Sequence, residues 1–145
     1  MIFRDLQRKI ESRSAKVGVL GLGYVGLPLA CEFAKVGFKV TGFEVDPSKV
    51  KSLLAGKSYI ADIENHELAP LVARRQLTAT TDFSKLAAMD AIIICVPTPL
   101  NKTKDPDISF IDRAAHGVAK TLRREQLIVL ESTTYPGTTC LTICP

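Results

Sequence analysis

The sequence predicts an α/β fold, a doubly wound parallel sheet covered by helices on both faces. Three observations predict it. Apolar runs of strand length alternate with segments of helical periodicity five times along the chain. The run from Asp90 to Val96, DAIIICV, is apolar almost throughout, as a strand covered on both faces requires. The stretch from Lys16 to Gly26, KVGVLGLGYVG, passes from a short apolar strand through a glycine turn into a helix.

Residues 1–14 open the chain. Ile2, Leu6 and Ile10 lie four apart with charges between them, which reads as an amphipathic helix. It is expected to dock on the domain or on a neighbouring subunit. Ser12–Arg13–Ser14 breaks it before the unit at 15–145. Val17, Val19 and Leu20 form the first strand. Gly21, Gly23 and Gly26 then make GxGxxG, the glycine pattern of a Rossmann-type turn. Gly21 permits the sharp turn. Gly23, lacking a Cβ, lets a pyrophosphate approach the backbone, and Gly26 lets the helix pack closely. The helix from Tyr24 to Val36 carries Val25, Leu29, Phe33 and Val36 at helical spacing and ends at Gly37.

A second strand, Phe38 to Phe43, ends in Glu44, 23 positions after Gly21. An acid at that distance accepts hydrogen bonds from the adenosine ribose hydroxyls and repels a 2′-phosphate, so NAD is favoured over NADP. The alternative is that Glu44 begins a solvated turn. Asp46–Pro47 caps the next helix, with Val50, Leu53 and Leu54 inward and Gly56 as its stop. Lys57 to Asp62 is a loop. Glu64 to Arg75 is helical despite Pro70, with Leu68, Leu71 and Val72 inward. Leu77 to Thr80 is the third strand, and Asp82 caps a short helix through Ala88. Pro97–Thr98–Pro99 stops the fourth strand. A polar, mobile loop leads to Pro106, and Asp107 or Ser109 caps a helix, Ser109 pairing with Asp112 as a capping box. Its inner face is Ile111, Ala114, Ala115, Val118 and Leu122. Gln126 to Leu130 is the fifth strand, giving the spatial order 3-2-1-4-5. The outer edge of that strand invites pairing with a second copy, so a homo-oligomer is expected.

Ligands in such sheets bind beyond the carboxyl ends of the strands. Three strand ends meet there: Gly21–Gly26, Val96–Pro97–Thr98 and Glu131–Ser132–Thr133. Thr98 and Thr133 therefore direct hydroxyls at the cofactor space, or serve as turn residues.

Composition excludes several classes. The chain has 145 residues, 46% of them hydrophobic and 23% charged, which suits one globular domain. Its net charge of +4 is scattered, without a basic stripe bearing aromatics, so no nucleic-acid partner is expected. No apolar run approaches the ~20 residues of a membrane span. Arg4, Asp5, Arg8, Lys9 and Glu11 interrupt any signal-peptide core, and a cytoplasmic location is expected. Cys31 and Cys95 fall on the first helix and the fourth strand as buried thiols. Cys140 and Cys144 close the chain with no CxxC and no histidine partner, so neither a metal nor a disulfide framework is expected.

GLGYVGLPLA (21–30), VTGFEVDPSKV (40–50), ATTDFS (79–84), CVPTPL (95–100) and LESTTYPGTT (130–139) together resemble the N-terminal domain of nucleotide-sugar 6-dehydrogenases, the UDP-glucose/GDP-mannose dehydrogenase family. IESRSAKVGV and YIADI are most similar to the branch acting on UDP-N-acetylglucosamine or UDP-N-acetylmannosamine. The resemblance implies two-step, NAD-dependent oxidation of a sugar C6 hydroxyl to a carboxylate through a cysteine-bound intermediate. It implies that Tyr24 and Val25 offer backbone to the pyrophosphate and that Glu44 and Lys49 hold the adenosine ribose. It implies that Pro97 and Thr98 lie along the cofactor and that Thr133 sits near the nicotinamide as a catalytic residue positioning water or substrate. The family's nucleophilic cysteine and most of its sugar-nucleotide contacts lie in central and C-terminal domains that 1–145 does not contain. The chain is therefore expected to be an incomplete unit, binding NAD but acting on a UDP-sugar only with those domains. A stand-alone NAD-binding or assembly module is the alternative. A methyltransferase is disfavoured by the third glycine and by the PTP and STTYPG motifs.

Overall fold

The structure, a computed structural model, describes residues 2–134 and 136–139. The chain runs α1 (Ile2–Glu11), β1 (Lys16–Leu20), α2 (Gly26–Lys35), β2 (Lys39–Phe43), α3 (Pro47–Leu54), α4 (Asn65–Ala73) and β3 (Leu77–Thr80). A 3-10 helix (Phe83–Ala88), β4 (Ala91–Ile94), α5 (Ser109–Thr121) and β5 (Leu127–Leu130) follow. All pairings are parallel, and the strand order is β3-β2-β1-β4-β5, as the sequence predicts. The order reverses between β1 and β4, so the carboxyl ends of those two strands flank the switch point.

Alternation along each strand builds two core layers. Val17, Val19 and Ile93 face Leu27, Ala30, Leu53 and Leu68 on the side covered by α2, α3 and α4. Leu20, Phe43, Ile92 and Ile94 face Leu86, Met89, Ala114 and Val118 on the side of the 3-10 helix and α5. Every residue of β4 is buried, the physical meaning of its unbroken apolar run.

Several helix faces differ from the expectation. Val25 and Val36 are exposed and Leu29 and Phe33 only partly buried, whereas Leu27, Ala30, Cys31 and Ala34 form the buried stripe of α2. Small residues let that helix lie close on the sheet, and the bulkier apolar residues fall on the neighbouring stripe. Leu54 and Leu122 are likewise exposed, at the C-terminal ends of α3 and α5, and Ala115 is only partly buried. Strand ends are shorter than expected: Phe38, Asp90 and Gln126 precede β2, β4 and β5. Asp46 and Asp82 cap as expected, each accepting from the amide two residues on. At α5 the side chain that accepts the Ser109 N–H at 2.9 Å is Asp107, and no Ser109–Asp112 box forms. The loop before it is fastened: Asn101 Oδ1 accepts from the amides of Thr103 and Asp105, and Leu100 bridges Pro106. Cys140 and Cys144 lie outside the described residues.

The amino ends of the strands are tied by Asp90. Its buried carboxylate accepts from Lys9 Nζ at 2.8 Å, Lys16 N at 2.9 Å and Arg123 Nη2 at 3.3 Å. This docks α1 on its own domain. Burial alone would raise the Asp90 pKa, but the hydrogen bonds from Lys16, Lys9 and Arg123 outweigh it and hold it below the usual range. Asp90→Ala is expected to cost about 3 kcal/mol in urea unfolding, because both cations and the Lys16 amide lose their acceptor. A folded-state pKa below the unfolded value of about 3.9 means that this contribution is complete above that pH. The difference in stability between wild type and Asp90→Ala should therefore shrink as pH falls through the folded-state pKa.

Candidate functional site

The turn after β1 is shaped by three close approaches. Gly21 has φ +85°, donates its N–H to Phe43 O at 2.9 Å, and has Cys95 O at 2.8 Å from where a Cβ would stand. A Cβ on Gly26 would lie 1.7 Å from Gly21 O, so the first residue of α2 sits directly against the carbonyl of the turn. Leu22 buries its side chain completely, and a Cβ on Gly42 would come within 2.5 Å of its Cδ1. Only a glycine on β2 leaves Leu22 that space.

Gly23 differs from these. No heavy atom lies within 4 Å of its Cβ position, and its φ is not in the left-handed region. Its backbone is open because the cleft is there. The N–H groups of Gly23, Tyr24, Val25 and Gly26 have no protein acceptor among the described residues. They are the unbonded amides of a helix N-terminus, where the helix dipole favours an anion.

Glu44 is only 8% exposed, so it is not the start of a solvated turn. Its carboxylate accepts from Leu22 N at 3.1 Å, Val45 N at 2.9 Å and Asp46 N at 3.3 Å. The acid thus joins the end of β2 to the glycine turn. Lys49, one turn into α3, lies 5.7 Å above the Tyr59 ring, and Tyr59 donates its hydroxyl to Leu22 O at 2.7 Å. Leu22 lies within GLGYVGLPLA and Tyr59 opens YIADI, but neither motif assigns them a role in the site. Tyr59 lies 37 residues from Leu22, and nothing local marks its hydroxyl as a partner of the turn.

A cleft of about 860 Å³ collects these parts. Gly21, Gly23, Tyr24 and Val25 form one wall, with Tyr24 80% exposed. Glu44, Asp46 and Lys49 form one end, and Pro97, Thr98 and Thr133 another stretch. Gly26 lies behind the wall rather than in it. Phe43 and Phe83, with ring centroids 5.9 Å apart, and Phe110 and Arg113 of α5 complete the lining. Ser132 donates its hydroxyl to Val96 O at 2.9 Å, joining the end of β5 to that of β4. The sequence reading placed Ser132 at the strand end but missed this bond. Cys95 lies at the floor, and burial, with a smaller push from Glu131, raises its thiol pKa to about 11.

Open amides beside an acid at the end of β2 suit a dinucleotide: a diphosphate at the helix start and a ribose at the carboxylate. Residues 15–144 match the UDP-glucose/GDP-mannose dehydrogenase family, NAD binding domain. The chain belongs to this family. NAD is accordingly the cofactor of the domain. The chain is 38% identical over 125 residues to a UDP-N-acetyl-D-mannosamine dehydrogenase of Pyrococcus horikoshii, covering 86% of this chain and 30% of that protein. It is 39% identical over 124 residues to a UDP-N-acetyl-D-glucosamine 6-dehydrogenase of Salmonella typhi, covering 86% of this chain and 28% of that protein. The solved NDP-N-acetyl-D-galactosaminuronic acid dehydrogenase of Methanosarcina mazei superposes with a TM-score of 0.84 at 34% identity, covering 95% of this chain and 32% of that one. The chain therefore spans about 30% of the length of the curated relatives it matches.

The glycines predict opposite phenotypes. Gly23→Val should melt within a few degrees of wild type, because the added atoms enter open cleft, yet lose at least about tenfold in NAD affinity by calorimetry. Gly26→Ala should lose about 2 kcal/mol or more of stability, because backbone must move to admit its Cβ.

Proposed function

We propose that this chain is the cofactor-binding part of a nucleotide-sugar 6-dehydrogenase and that each group of cleft residues holds one part of NAD. Gly23, Tyr24 and Val25 present their amides to the pyrophosphate, and Gly26 lets α2 start close behind them. Glu44 and Lys49 take the adenosine ribose, and Pro97, Thr98 and Thr133 line the path to the nicotinamide. One observation carries this reading: Gly23, Tyr24 and Val25, whose amides meet no protein acceptor among the described residues, line the same cleft as Glu44.

When bound, NAD would supply the hydride acceptor, and two NAD with one water would take a primary alcohol to a carboxylate with release of protons. The chain's own residues bind and orient. Three of the carboxylate's roughly four lone-pair directions are used by backbone amides, which leaves Glu44 an acceptor site for a ribose hydroxyl. The same charge opposes a 2′-phosphate. Thr133 is exposed beyond β5 and lines the cleft, and its hydroxyl, which bonds to no described residue, would hold a water or a sugar hydroxyl. The sugar is a UDP-N-acetylhexosamine, by likeness to the relatives named for those substrates.

The aldehyde stage needs a thiolate. Cys31 and Cys95 are buried, and burial raises both thiol pKa values to about 11. Neither supplies one near neutral pH.

Calorimetric titration tests the cofactor assignment. NAD should bind at least about tenfold more tightly than NADP, and Glu44→Gln should reduce that ratio towards one. Equal affinities in the wild type would overturn the role given to Glu44. The chain of residues 1–145 should release no NADH when incubated with NAD and UDP-N-acetylglucosamine or UDP-N-acetylmannosamine. Turnover above the background of a Thr133→Ala variant would show that the chain is catalytically sufficient.

A further inference from the structure

The glycine turn is held from beneath by a residue outside the motif. Tyr59, in the loop between α3 and α4, donates its hydroxyl to Leu22 O at 2.7 Å. The chain has no cis peptide among the described residues, so the carbonyl of Leu22 and the N–H of Gly23 point in opposite directions within one peptide plane. Holding the carbonyl on the Tyr59 side therefore turns the Gly23 N–H the other way. Gly23 lines the cleft, and its N–H meets no protein acceptor among the described residues.

The rest of Leu22 is pinned as well. Its N–H donates to Glu44 at 3.1 Å, and its side chain is fully buried against Gly42. The Tyr59 hydrogen bond completes the set, since it restrains rotation of the Leu22–Gly23 peptide. Without it the peptide is free to turn its carbonyl towards the cleft, where the oxygen would repel a diphosphate. Tyr59 is itself placed firmly, half-buried against the core and capped by the Lys49 ammonium. Burial raises its pKa, with further upward pushes from Glu44 and Asp46, so the hydroxyl stays a donor well into alkaline solution.

We infer that Tyr59 is a positioning residue for the diphosphate of the dinucleotide, presetting the Leu22–Gly23 peptide so that the Gly23 N–H faces the ligand before it arrives. The inference rests on the assignment of the glycine turn as the diphosphate site. Its action is on the fraction of molecules whose turn is competent, and apparent affinity falls in proportion to that fraction.

The test is Tyr59→Phe in the whole chain, which keeps the ring and its packing and removes only the donor. NAD, ADP and adenosine are titrated against both proteins by calorimetry or chemical-shift perturbation, and thermal melts are recorded alongside. NAD and ADP are expected to weaken by about three- to tenfold, the range of one neutral hydrogen bond. Adenosine, which has no phosphate, should change less than about twofold. The ratio of ADP to adenosine affinity does not depend on the folded fraction, so it reports positioning even if the variant melts lower. Unchanged NAD and ADP affinity, or equal losses for ADP and adenosine, would overturn the role of Tyr59. Failure of the wild type to bind ADP or NAD would instead overturn the diphosphate site itself.

Discussion

The contact between Gly21 O and Gly26 is the constraint on which the rest depends. A Cβ at Gly26 would stand 1.7 Å from that oxygen, so the helix begins as close to the end of β1 as backbone atoms allow. That closeness brings the start of α2, with the unbonded amides of Gly23, Tyr24 and Val25 before it, to the carboxyl edge of the sheet. It also sets the stripe that α2 buries. With the helix starting at Gly26, the contact positions are Leu27, Ala30, Cys31 and Ala34, and three of these four are small. A helix packed with Phe33 or Val36 inward would stand further off, and the turn would open.

The second consequence is that the site is a meeting of strand ends rather than a motif. β2 brings Glu44 under the turn and leaves room at Gly42 for Leu22. β4 brings the Cys95 carbonyl against Gly21, and β5 ties its end to β4 through Ser132. Each link joins residues far apart in the chain but adjacent across the sheet. The parallel register makes this possible, because all five strands end on the same side. The opposite side has its own fastening at Asp90, where a buried carboxylate gathers α1, β1 and the turn before β5. The sheet is thus tied at one end by charge and shaped at the other by backbone.

The cleft is acidic at the β2 end and apolar along its floor. Glu44 and Asp46 flank Lys49, while Phe43 and Phe83 lie beneath. The half-buried Asp46 carboxyl is held below its usual pKa range by Ser48, first through the side-chain hydroxyl and then through the amide. The relatives that the chain matches are about three times its length.

The sequence by itself determined the strand order, the capping aspartates at 46 and 82, the buried cysteines and the placement of the glycine turn. These rest on local pattern: hydrophobic period, a side-chain acceptor two residues before an amide, and glycines at fixed spacing. It also brought Glu44, Lys49, Pro97, Thr98 and Thr133 to one edge, since parallel strands must end together. The apolar residues that mark α2 as a helix, Val25, Leu29, Phe33 and Val36, are not the stripe it buries, because close packing selects small residues such as Ala30. The sequence did not mark the bonds that Asn101 makes in the loop to Pro106, because polar composition looks the same whether side chains bond to water or to their own backbone. Only the tertiary structure decided that Glu44 is buried and bonded to Leu22, that Asp90 is a hub, and that Tyr59 reaches the turn. Each of those is a hydrogen bond across more than 20 residues of chain. Such a bond has no period and no spacing, because its geometry is set by how the layers stack.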